Sequence, residues 1–518
     1  MLARCQSASL LGLEACPITV EVDLAPGLPG LQLVGLPDVA IQESRERVRA
    51  ALRNSGFRGP LVRVVVNLAP ADLRKEGPAF DLPIAMALLC ASGQLDAPLL
   101  KGIWCAGELG LDGSVRPCRG LLAIASLAAA RGAKALVVAD ANAAEAALVP
   151  GLVVVAARSL QQIVARLKQR PLPPAGRHQD RRAPDPSPAL DPPTISGQPL
   201  AQTALALAAA GGHHLLMVGP PGCGKTLLAR QLPALLPPMA AQEALEISRI
   251  HSIAGQLKPG EGLLHRRPFR APHHSCSAAS LLGGGALPRP GELSLAHGGV
   301  LFLDELAEFP RRVLDQLRQP LEEGKLLVSR ARLKCVFPCR ITLVAATNPC
   351  PCGWFGDGQR ECRCTPRQRQ RYWARLSGPL LDRLDLQVQL ERLSSTAMRA
   401  GLRPPVTEPP LATTTDTIGE ARQRMTARNP GGCLNADLAP ADLGAHAGLA
   451  SSVLDRWERI IQMRQLSARS GVRLLRVART VADLNGHDDT QEADLAQALW
   501  FRSFDQQHVD QQNKAPVN

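Results

Sequence analysis

The chain reads GPPGCGKT from Gly219 to Thr226, between the apolar run Leu215–Val218 and the helical pattern of Leu227–Leu232. A glycine-rich turn between a strand and a helix presents backbone N–H groups to phosphate oxygens. In such a turn the Lys225 ammonium neutralises the β and γ phosphates, and the Thr226 hydroxyl can ligate Mg²⁺. The segment therefore predicts a nucleoside-triphosphate site on an α/β core.

A second apolar run supplies the acidic half of the predicted site. Gly299–Leu303 is followed directly by Asp304 and Glu305. Asp304 is expected to share Mg²⁺ with Thr226, and Glu305 is expected to polarise the attacking water. Paired with the phosphate loop, this run predicts hydrolysis of the bound nucleotide.

A third apolar run, Ile341–Ala346, ends shortly before Asn348. In the expected strand order its tip lies beside the strand that carries Asp304, so the Asn348 amide can orient the water or the γ-phosphate. The residues predicted to hold ATP and Mg²⁺ are Gly219, Pro220, Pro221, Gly222, Cys223, Gly224, Lys225, Thr226 and Asp304.

Length and composition limit the class of protein. A chain of 518 residues is too long for one core, so about two to four domains are expected. The formal charge of +13 suggests a polyanionic partner, whereas an aromatic content of 3% argues against a broad platform for base stacking.

Cysteine use and apolar runs indicate the compartment. The 14 cysteines are scattered apart from one cluster, which favours a reducing interior over a disulfide framework. The apolar start, Met1–Leu13, is too short for a signal peptide, and no apolar run is long enough to span a bilayer. We therefore expect a cytoplasmic protein without membrane contact.

Changes in pattern along the chain predict three folded segments. Residues 1–168 alternate predicted strands and helices and form an α/β domain. The stretch 169–196 is rich in Pro, Arg and Asp, which indicates a flexible linker. Residues 197–395 form the phosphate-binding α/β domain, and residues 412–510 form a helical domain after a second Pro/Thr-rich stretch.

The segment between the phosphate loop and the acidic strand is longer than a minimal nucleotide fold requires. It contains the basic run 266–275 and the glycines 283–285, and the later stretch 325–337 alternates apolar and basic residues like a β-hairpin. Such loops face the central pore in ring-shaped motors, where Arg and Lys contact a polymer backbone. His273 and His274 could instead bind a metal, although no third ligand has a convincing spacing.

A cysteine cluster lies in a basic loop after the third apolar run. Its members are Cys350, Cys352, Cys362 and Cys364. Four thiolates can hold one Zn²⁺, although each pair here is separated by a single residue and zinc sites usually use about two to four. Four free thiols are the alternative. Nearby arginines suit phosphates, with a solvated charged face as the alternative; they are Arg360, Arg363, Arg367, Arg369, Arg371 and Arg375.

Five longer motifs have the form and order of a known family. They are NLAPADLRKEG at 67–77, PHH at 272–274, PGELSLAH at 290–297, NPCPCG at 348–353 and SGPLLDR at 377–383. Through them the chain resembles the ComM/YifB family of magnesium-chelatase-like AAA+ ATPases over nearly its whole length, apart from the linker.

The resemblance implies a fold and a function. The fold would join a Lon-protease-like (ribosomal S5-like) N-terminal domain, an AAA+ P-loop NTPase core and a C-terminal helical lid. The function would be that of a hexameric, ATP-dependent motor on single-stranded and branched DNA. Such a motor drives branch migration in homologous recombination of incoming DNA during natural transformation, with recombination proteins among its partners.

The resemblance also assigns catalytic roles beside Glu305. Asn348 is similar to sensor 1 of AAA+ proteins. Arg383 is similar to the arginine finger that reaches the γ-phosphate of a neighbouring subunit, with a surface salt bridge as the alternative. Arg476 resembles sensor 2 and would fold over the nucleotide with the lid, with Arg479 as the second choice.

The first domain resembles the Lon protease fold without its chemistry. Ala79 stands where the nucleophilic serine would be, and the segment Arg119–Leu122 lacks the lysine base. The resemblance therefore implies a domain that serves assembly or DNA contact and not proteolysis.

Two other functions stay open from the sequence. One is a chelatase-type ATPase subunit that inserts a metal into a tetrapyrrole, although the Lon-like domain has no obvious place in that reaction. The other is a protein-remodelling chaperone, which normally carries an aromatic residue in its pore loop. ATPase rates with and without single-stranded, duplex and branched DNA would distinguish the three.

Overall fold

The N-terminal unit is built around a mixed sheet. The computed structural model describes residues 2–59, 61–169, 198–258, 260–285, 288–330, 333–376, 378–392 and 415–502. Most of the predicted linker and of the second Pro/Thr-rich stretch lie outside these ranges. The first unit contains β1 Leu2–Leu11, β2 Glu14–Ala25, β3 Gly30–Val34, α1 Val39–Asn54, β4 Arg63–Ala69, α2 Asp81–Ala91, β5 Ile103–Cys105, β6 Glu108–Leu109, β7 Val115–Arg116, α3 Leu121–Ala130, β8 Ala135–Ala139, α4 Ala143–Ala146, β9 Val153–Ala157 and α5 Leu160–Lys168.

Its main sheet has seven strands in the order β3-β4-β2-β1-β5-β8-β9. Helix α1 begins directly after Asp38, because the Asp38 side chain accepts a hydrogen bond from the backbone N–H of Ile41 at 2.8 Å and caps the helix. Strand β1 lies at the centre of this sheet. Its buried positions include Ser7 and Ser9, so the alternation of apolar and polar residues that marks a strand is weak there.

The second unit contains α6 Pro199–Gly211, β10 Leu215–Val218, α7 Lys225–Leu235, α8 Ala241–Ala254, β11 Phe269–Arg270, α9 Ala278–Leu282, β12 Gly283–Gly284, β13 Arg289–Pro290, α10 Glu292–Leu295, β14 Val300–Leu303, α11 Arg311–Gln316, α12 Arg318–Glu323, β15 Lys325–Arg330, β16 Leu333–Pro338, β17 Thr342–Thr347, α13 Pro366–Trp373, α14 Gly378–Leu381 and β18 Leu386–Gln389. The strands β15 and β16 pair antiparallel and confirm the predicted hairpin.

The main sheet of this unit has five strands in the order β11-β14-β17-β10-β18, all parallel. The register places Leu303 beside Ala345 and Val218 beside Thr347. The carboxyl ends of β14, β17 and β10 therefore lie side by side at the same end of the sheet. The residues that follow these strands are brought together there.

The C-terminal unit is helical and packs on the second unit. Its helices are α15 Thr415–Arg428, α16 Pro440–His446, α17 Ser451–Arg464, α18 Ala468–Asn485 and α19 Glu492–Leu499. Apolar residues of α15, α18 and α19 share one core with α6 and one face of the parallel sheet. This shared core decides where α18 lies relative to the phosphate loop.

The N-terminal unit is docked against α8 of the second unit. The backbone N–H of Gly120 donates to the Ser252 carbonyl at 3.0 Å, and the Ser252 hydroxyl donates to the buried Glu145 carboxylate. Burial raises the pKa of Glu145. The same carboxylate accepts from the Leu122 backbone at 2.8 Å, so one buried acid joins α3, α4 and α8.

Candidate nucleotide-binding site

The phosphate loop connects β10 to α7, and its glycines have conformations or contacts that exclude a side chain. Gly222 and Gly224 have φ angles of +80° and +92°. A Cβ on Gly219 would lie 2.8 Å from the Cβ of Leu390. Helix α7 starts at Lys225, so its first N–H groups face the loop, as a phosphate site requires.

Lys225 lies inside the turn of this loop. Its Nζ donates to the carbonyl oxygens of Gly219 and Pro220 at 2.6 and 3.0 Å and to Oδ1 of Asn348 at 3.1 Å. Burial lowers the pKa of the Lys225 ammonium. These three oxygens accept the N–H donors of Lys225 that phosphate oxygens would accept in a nucleotide complex. The contact with Asn348 brings the predicted sensor next to the phosphate loop.

The predicted Mg²⁺ ligands are adjacent. The Thr226 hydroxyl donates to Oδ2 of Asp304 at 3.1 Å. A hydroxyl beside a carboxylate is an oxygen donor set of the kind that Mg²⁺ takes together with phosphates. The residues therefore fit the metal that the nucleotide chemistry needs.

Glu305 follows Asp304 in a left-handed conformation, with φ at +51°. A non-glycine residue in this region is strained, and such strain concentrates at functional sites. Its backbone N–H donates to Oδ1 of Asp304 at 2.9 Å. The carboxylate of Glu305 is half-exposed and turned towards the end of β11.

The Glu305 carboxylate contacts His274, a contact that the sequence did not predict. Nδ1 of His274 lies 3.0 Å from Oε2 of Glu305, and Nδ1 of His273 lies 2.8 Å from the Ser275 hydroxyl. In the described part of the chain no group of three metal-ligand side chains forms around the two histidines. His274 is the fourth residue after β11, the strand beside β14, and this position is the signal that could have indicated the contact.

The basic run 266–275 is mostly engaged within the protein. Arg267 pairs with Glu243 at 2.6 Å, and Arg270 pairs with Glu292 at 2.6 Å. These two guanidinium groups stabilise the loop and are not displayed for a polymer backbone.

Arg383 lies at the amino ends of the parallel strands, whereas the phosphate loop of its own chain lies at their carboxyl ends. It comes before β18, which runs parallel to β10, whereas the loop follows β10. Its Nη2 lies 2.5 Å from Oε1 of Glu322, and its Nε donates to the Arg318 carbonyl at 3.2 Å. Arg383 thus lies at the opposite end of the strands from the phosphate loop of its own chain, and its role as an arginine finger stays a prediction.

Helix α18 also lies at the amino ends of the strands. The Thr480 hydroxyl is 2.8 Å from Nε2 of His213, which precedes β10, and Arg473 pairs at 3.3 Å with Asp385, which precedes β18. Both contacts are at the amino ends of strands whose carboxyl ends carry the nucleotide site.

Arg476 lies on this helix, away from the phosphate loop of its own chain, and its predicted role as sensor 2 stays a prediction. Arg476 lies between Arg473 and Thr480 on α18, and its Nε donates to the Leu438 carbonyl at 2.9 Å. Arg479 is fully buried, with bonds to Asp483 and to backbone carbonyls of the C-terminal unit. The apolar face of α18 packs on α6, and that packing carries both arginines away from the phosphate loop.

The four clustered thiols converge. The Sγ atoms of Cys350, Cys352, Cys362 and Cys364 all lie within 4.8 Å of one another, with 3.3 Å between those of Cys350 and Cys352. Tetrahedral zinc with Zn–S bonds of about 2.3 Å separates its sulfurs by about 3.8 Å, so the four thiols fit this ion. Burial would raise the pKa of Cys352, but hydrogen bonds from the Trp354 backbone and the Cys350 side chain outweigh it and lower that pKa to about 6.

The loop that carries these thiols touches the phosphate loop. A Cβ on Gly353 would lie 2.8 Å from Cδ of Pro221. Arg360 of this loop stacks on Trp354 at 4.6 Å, and Arg369 of the following helix α13 stacks on Phe355 at 4.2 Å. Arg363 and Arg367 are exposed.

None of the helices in the described ranges has the length and apolar character needed to cross a bilayer.

Comparison with protein-family models covers most of the chain. The model described as subunit ChlI of Mg-chelatase matches residues 20–142, and the model described as magnesium chelatase, subunit ChlI, matches residues 191–398. The model of the subunit ChlI C-terminal part of magnesium chelatase matches residues 410–502.

Full-length relatives agree with these matches. The chain is 43% identical to the competence protein ComM of Haemophilus influenzae over 507 residues, which is 97% of this chain and 98% of the relative. It is 42% identical to YifB of Escherichia coli strain K12 over 501 residues, which is 96% of each, and 41% identical to YifB of Salmonella typhimurium over 514 residues, which is 97% of each. The chain therefore belongs to the ComM/YifB family of magnesium-chelatase-like AAA+ ATPases.

Proposed function

We propose that this protein is an ATP-dependent DNA motor that assembles as a hexamer and drives branch migration in homologous recombination of incoming DNA during natural transformation. The observation that carries the hydrolytic part is the convergence of Lys225, Thr226, Asp304 and Asn348 at one edge of the parallel sheet. Such a set of side chains cradles phosphates and orients a nucleophile in P-loop NTPases.

The residues of this chain divide the work of hydrolysis. Lys225 and the loop N–H groups would hold the β and γ phosphates, and Thr226 and Asp304 would hold Mg²⁺, which supplies Lewis acidity to phosphoryl oxygens. Glu305 takes a proton from the attacking water, and Asn348 orients that water. Arg383 would reach the site of the next subunit, which requires a ring or a similar oligomer.

The DNA part of the proposal is supported by charge and by family. The net charge of +13 and the exposed Arg363 and Arg367, beside the cysteine cluster, suit a phosphate backbone. A full-length relative is a competence protein. Single-stranded and branched DNA are the proposed substrates, with recombination proteins as partners.

We extend the proposal to a structural Zn²⁺ held by Cys350, Cys352, Cys362 and Cys364. The convergence of the four sulfurs supports it. Metal analysis of the protein purified under reducing conditions should find about one zinc per chain. A zinc content near zero in folded protein would contradict the site.

The central test is ATP turnover with and without single-stranded, duplex and branched DNA. Branched DNA should stimulate hydrolysis by wild type, and Lys225→Ala should abolish both hydrolysis and ATP-driven strand exchange while DNA binding persists. An ATPase that no DNA stimulates, together with no salt-sensitive DNA binding, would refute the DNA motor. Wild-type branch movement by Lys225→Ala would refute the assigned ATP site.

A further inference from the structure

Helix α1 of the N-terminal unit displays three arginines along its exposed surface. Arg45, Arg49 and Arg53 follow one another at intervals of four residues, and all three are exposed. Residues four apart on an α-helix lie on the same side, one turn above the next. The helix packs on the core of the unit through other positions, among them Ile41 and Val48. The three guanidinium groups therefore form a continuous line, which we call the arginine row.

The arginine row has no carboxylate partner among the residues that the structure describes. None of the ion pairs there includes Arg45, Arg49 or Arg53. Arg45 donates to a backbone carbonyl of its own helix, that of Gln42, at 3.1 Å. The charges of the row are thus left for a partner outside the chain.

Arg47, on the same helix, is used differently. Its Nε lies 2.7 Å from Oδ2 of the buried Asp81, and its Nη1 lies 3.5 Å from Oε2 of Glu43, four residues before it. An acid placed four residues before a base stabilises a helix. These two ion pairs explain Arg47 as part of the fold, whereas no comparable contact explains the arginine row.

The arginine row also works against the stability of its own helix. Arg45 and Arg49, and again Arg49 and Arg53, are like charges four residues apart, and such pairs destabilise a helix. The helix dipole favours Arg53 in the last turn but gives no such gain to Arg45 or Arg49. Residues that break a local rule without a compensating gain indicate a functional constraint.

The length and chemistry of the row suit the phosphate backbone of duplex DNA. A rise of about 1.5 Å per residue places Arg45 and Arg53 about 12 Å apart along the helix. One strand of a duplex carries a phosphate about every 3.4 Å along the axis, so the row spans about three phosphates. Guanidinium groups bind phosphate oxygens through a planar fork of N–H donors.

The composition of α1 favours duplex over single-stranded DNA. Proteins that hold single strands commonly stack the bases on aromatic side chains. Residues 39–54 contain no aromatic side chain, so α1 offers charge without a surface for stacking. A duplex presents its phosphates outside and its bases inside, and it needs only the charge.

We propose that the arginine row of α1 binds the phosphate backbone of a duplex arm of the DNA on which the motor acts. The inference rests on the proposed DNA motor and gives the N-terminal unit a defined part in it, which is to hold duplex DNA while the ATPase unit hydrolyses ATP. The row contacts phosphates and no base edges, so this binding is independent of DNA sequence.

The measurement is duplex DNA binding by the full chain between about 50 and 200 mM salt. The variant replaces Arg45, Arg49 and Arg53 together by Gln, which is a good helix former. The slope of log affinity against log salt should fall by about 2.7, because each lost phosphate contact removes about 0.9. The ratio of wild-type to variant affinity should then be ~40-fold larger at the lower salt than at the higher. An unchanged slope would overturn the proposal.

A second triple variant removes the same amount of charge from the same unit. Its three arginines are exposed and already paired with carboxylates, and each is replaced by Gln; they are Arg4 with Glu21, Arg116 with Glu108 and Arg158 with Asp140. This variant should keep the wild-type slope, because paired arginines are not available to phosphates. A loss as large as that of the arginine-row variant would show that net charge alone controls binding, which overturns the proposal.

Single variants keep the test decisive where the triple variant does not fold. Arg45→Gln, Arg49→Gln and Arg53→Gln should each lower the slope by about 0.9, and unchanged slopes in all three would overturn the proposal. Replacing the three arginines by Lys retains the charge and should retain the slope. A loss equal to that of the Gln variant would show that the effect does not come from charge.

Single-stranded DNA tests the choice of duplex. The arginine-row variant should lose less than one phosphate contact there, a change in slope below about 0.7, and a loss as large as on duplex DNA would overturn the assignment to a duplex arm. Absence of salt-sensitive DNA binding by wild type would instead refute the proposed function. Wild-type binding with no effect of the arginine row refutes this inference alone, so the two failures are distinguishable.

Discussion

The His274 imidazole contacts the carboxylate of Glu305, the predicted catalytic base. Its Nδ1 lies 3.0 Å from Oε2 of Glu305, and both side chains are partly exposed. A partly exposed polar contact contributes about 0.5–1 kcal/mol, which corresponds to a rate factor of about two to five. We therefore expect His274→Ala to raise the ATPase rate without DNA by about that factor and to reduce stimulation by DNA. His273→Ala, whose imidazole contacts Ser275, is the control. An unchanged basal rate in His274→Ala would contradict this role.

Asp385 holds the sheet to α18. Burial would raise the pKa of Asp385, but the hydrogen bond and charge of His213 and the charge of Arg473 outweigh it and bring that pKa to about 2. Asp385→Asn leaves the buried Arg473 without its partner. Because losing one member of a buried pair costs about 3–5 kcal/mol, the midpoint of thermal unfolding should fall by roughly 5–10 °C at neutral pH.

The pH dependence of this effect has a definite sign. A carboxyl with a depressed pKa stabilises the fold above its unfolded pKa of about 4 and loses that contribution as the pH falls towards its folded pKa. The difference in melting temperature between wild type and Asp385→Asn should therefore be constant above about pH 5 and shrink towards pH 3. The exposed neighbour Asp382→Asn should show little difference at any pH. A difference that grows on acidification would contradict the assignment.

At the scale of elements, the cysteine loop acts as a wall of the phosphate loop. Gly353 packs on Pro221, so disorder in the cysteine loop should reach the ATP site. We expect Cys352→Ser to lose bound zinc and to raise the KM for ATP by about three- to tenfold, equivalent to about 1 kcal/mol. Cys16→Ser, remote in the N-terminal unit, should change neither value. Zinc loss without any change in KM would contradict the coupling of the two loops.

The exposed Arg363, in the cysteine loop, and Arg367, at the start of α13, are expected to contact DNA phosphates. Replacing Arg363 and Arg367 together by alanine should reduce the slope of log affinity against log salt by about 1.8 on duplex DNA, since each phosphate contact contributes about 0.9. The same double change at Arg459 and Arg464 on α17 is the control. Binding isotherms between about 50 and 200 mM salt measure the slope. An unchanged slope would mean that Arg363 and Arg367 form a solvated face.

At the scale of the whole molecule, the N-terminal unit is joined to the ATPase unit through Ser252 and Glu145. Ser252→Ala removes a donor from a buried carboxylate, which costs about 1–3 kcal/mol. Because burial raises the pKa of Glu145, its ionised form is the unfavourable one, and the cost should be larger at pH 8 than at pH 5. Hydrogen exchange of α3 and α8 should report this loosening. Ser126→Ala, on the same α3 surface, should leave exchange of α8 unchanged.

The chemistry of the nucleotide site could be predicted from contiguous sequence. The apolar runs before Gly219 and Asp304 form β10 and β14 over the predicted residues, because a short strand buried on both faces must be apolar throughout. The residues after each strand lie at the carboxyl end of the sheet because the backbone of a parallel strand places them there. Lys225, Thr226, Asp304 and Asn348 therefore meet without any help from distant side chains.

The direction in which an arginine points depends on how its helix docks, and no local pattern encodes that. Arg476 has the motif of a lid residue, yet the packing of α18 on α6 places it at the amino edge of the sheet. The same docking brings Arg469 to Glu322. These contacts join segments far apart in the chain, so they exist only once the apolar faces of separate elements have been buried against one another.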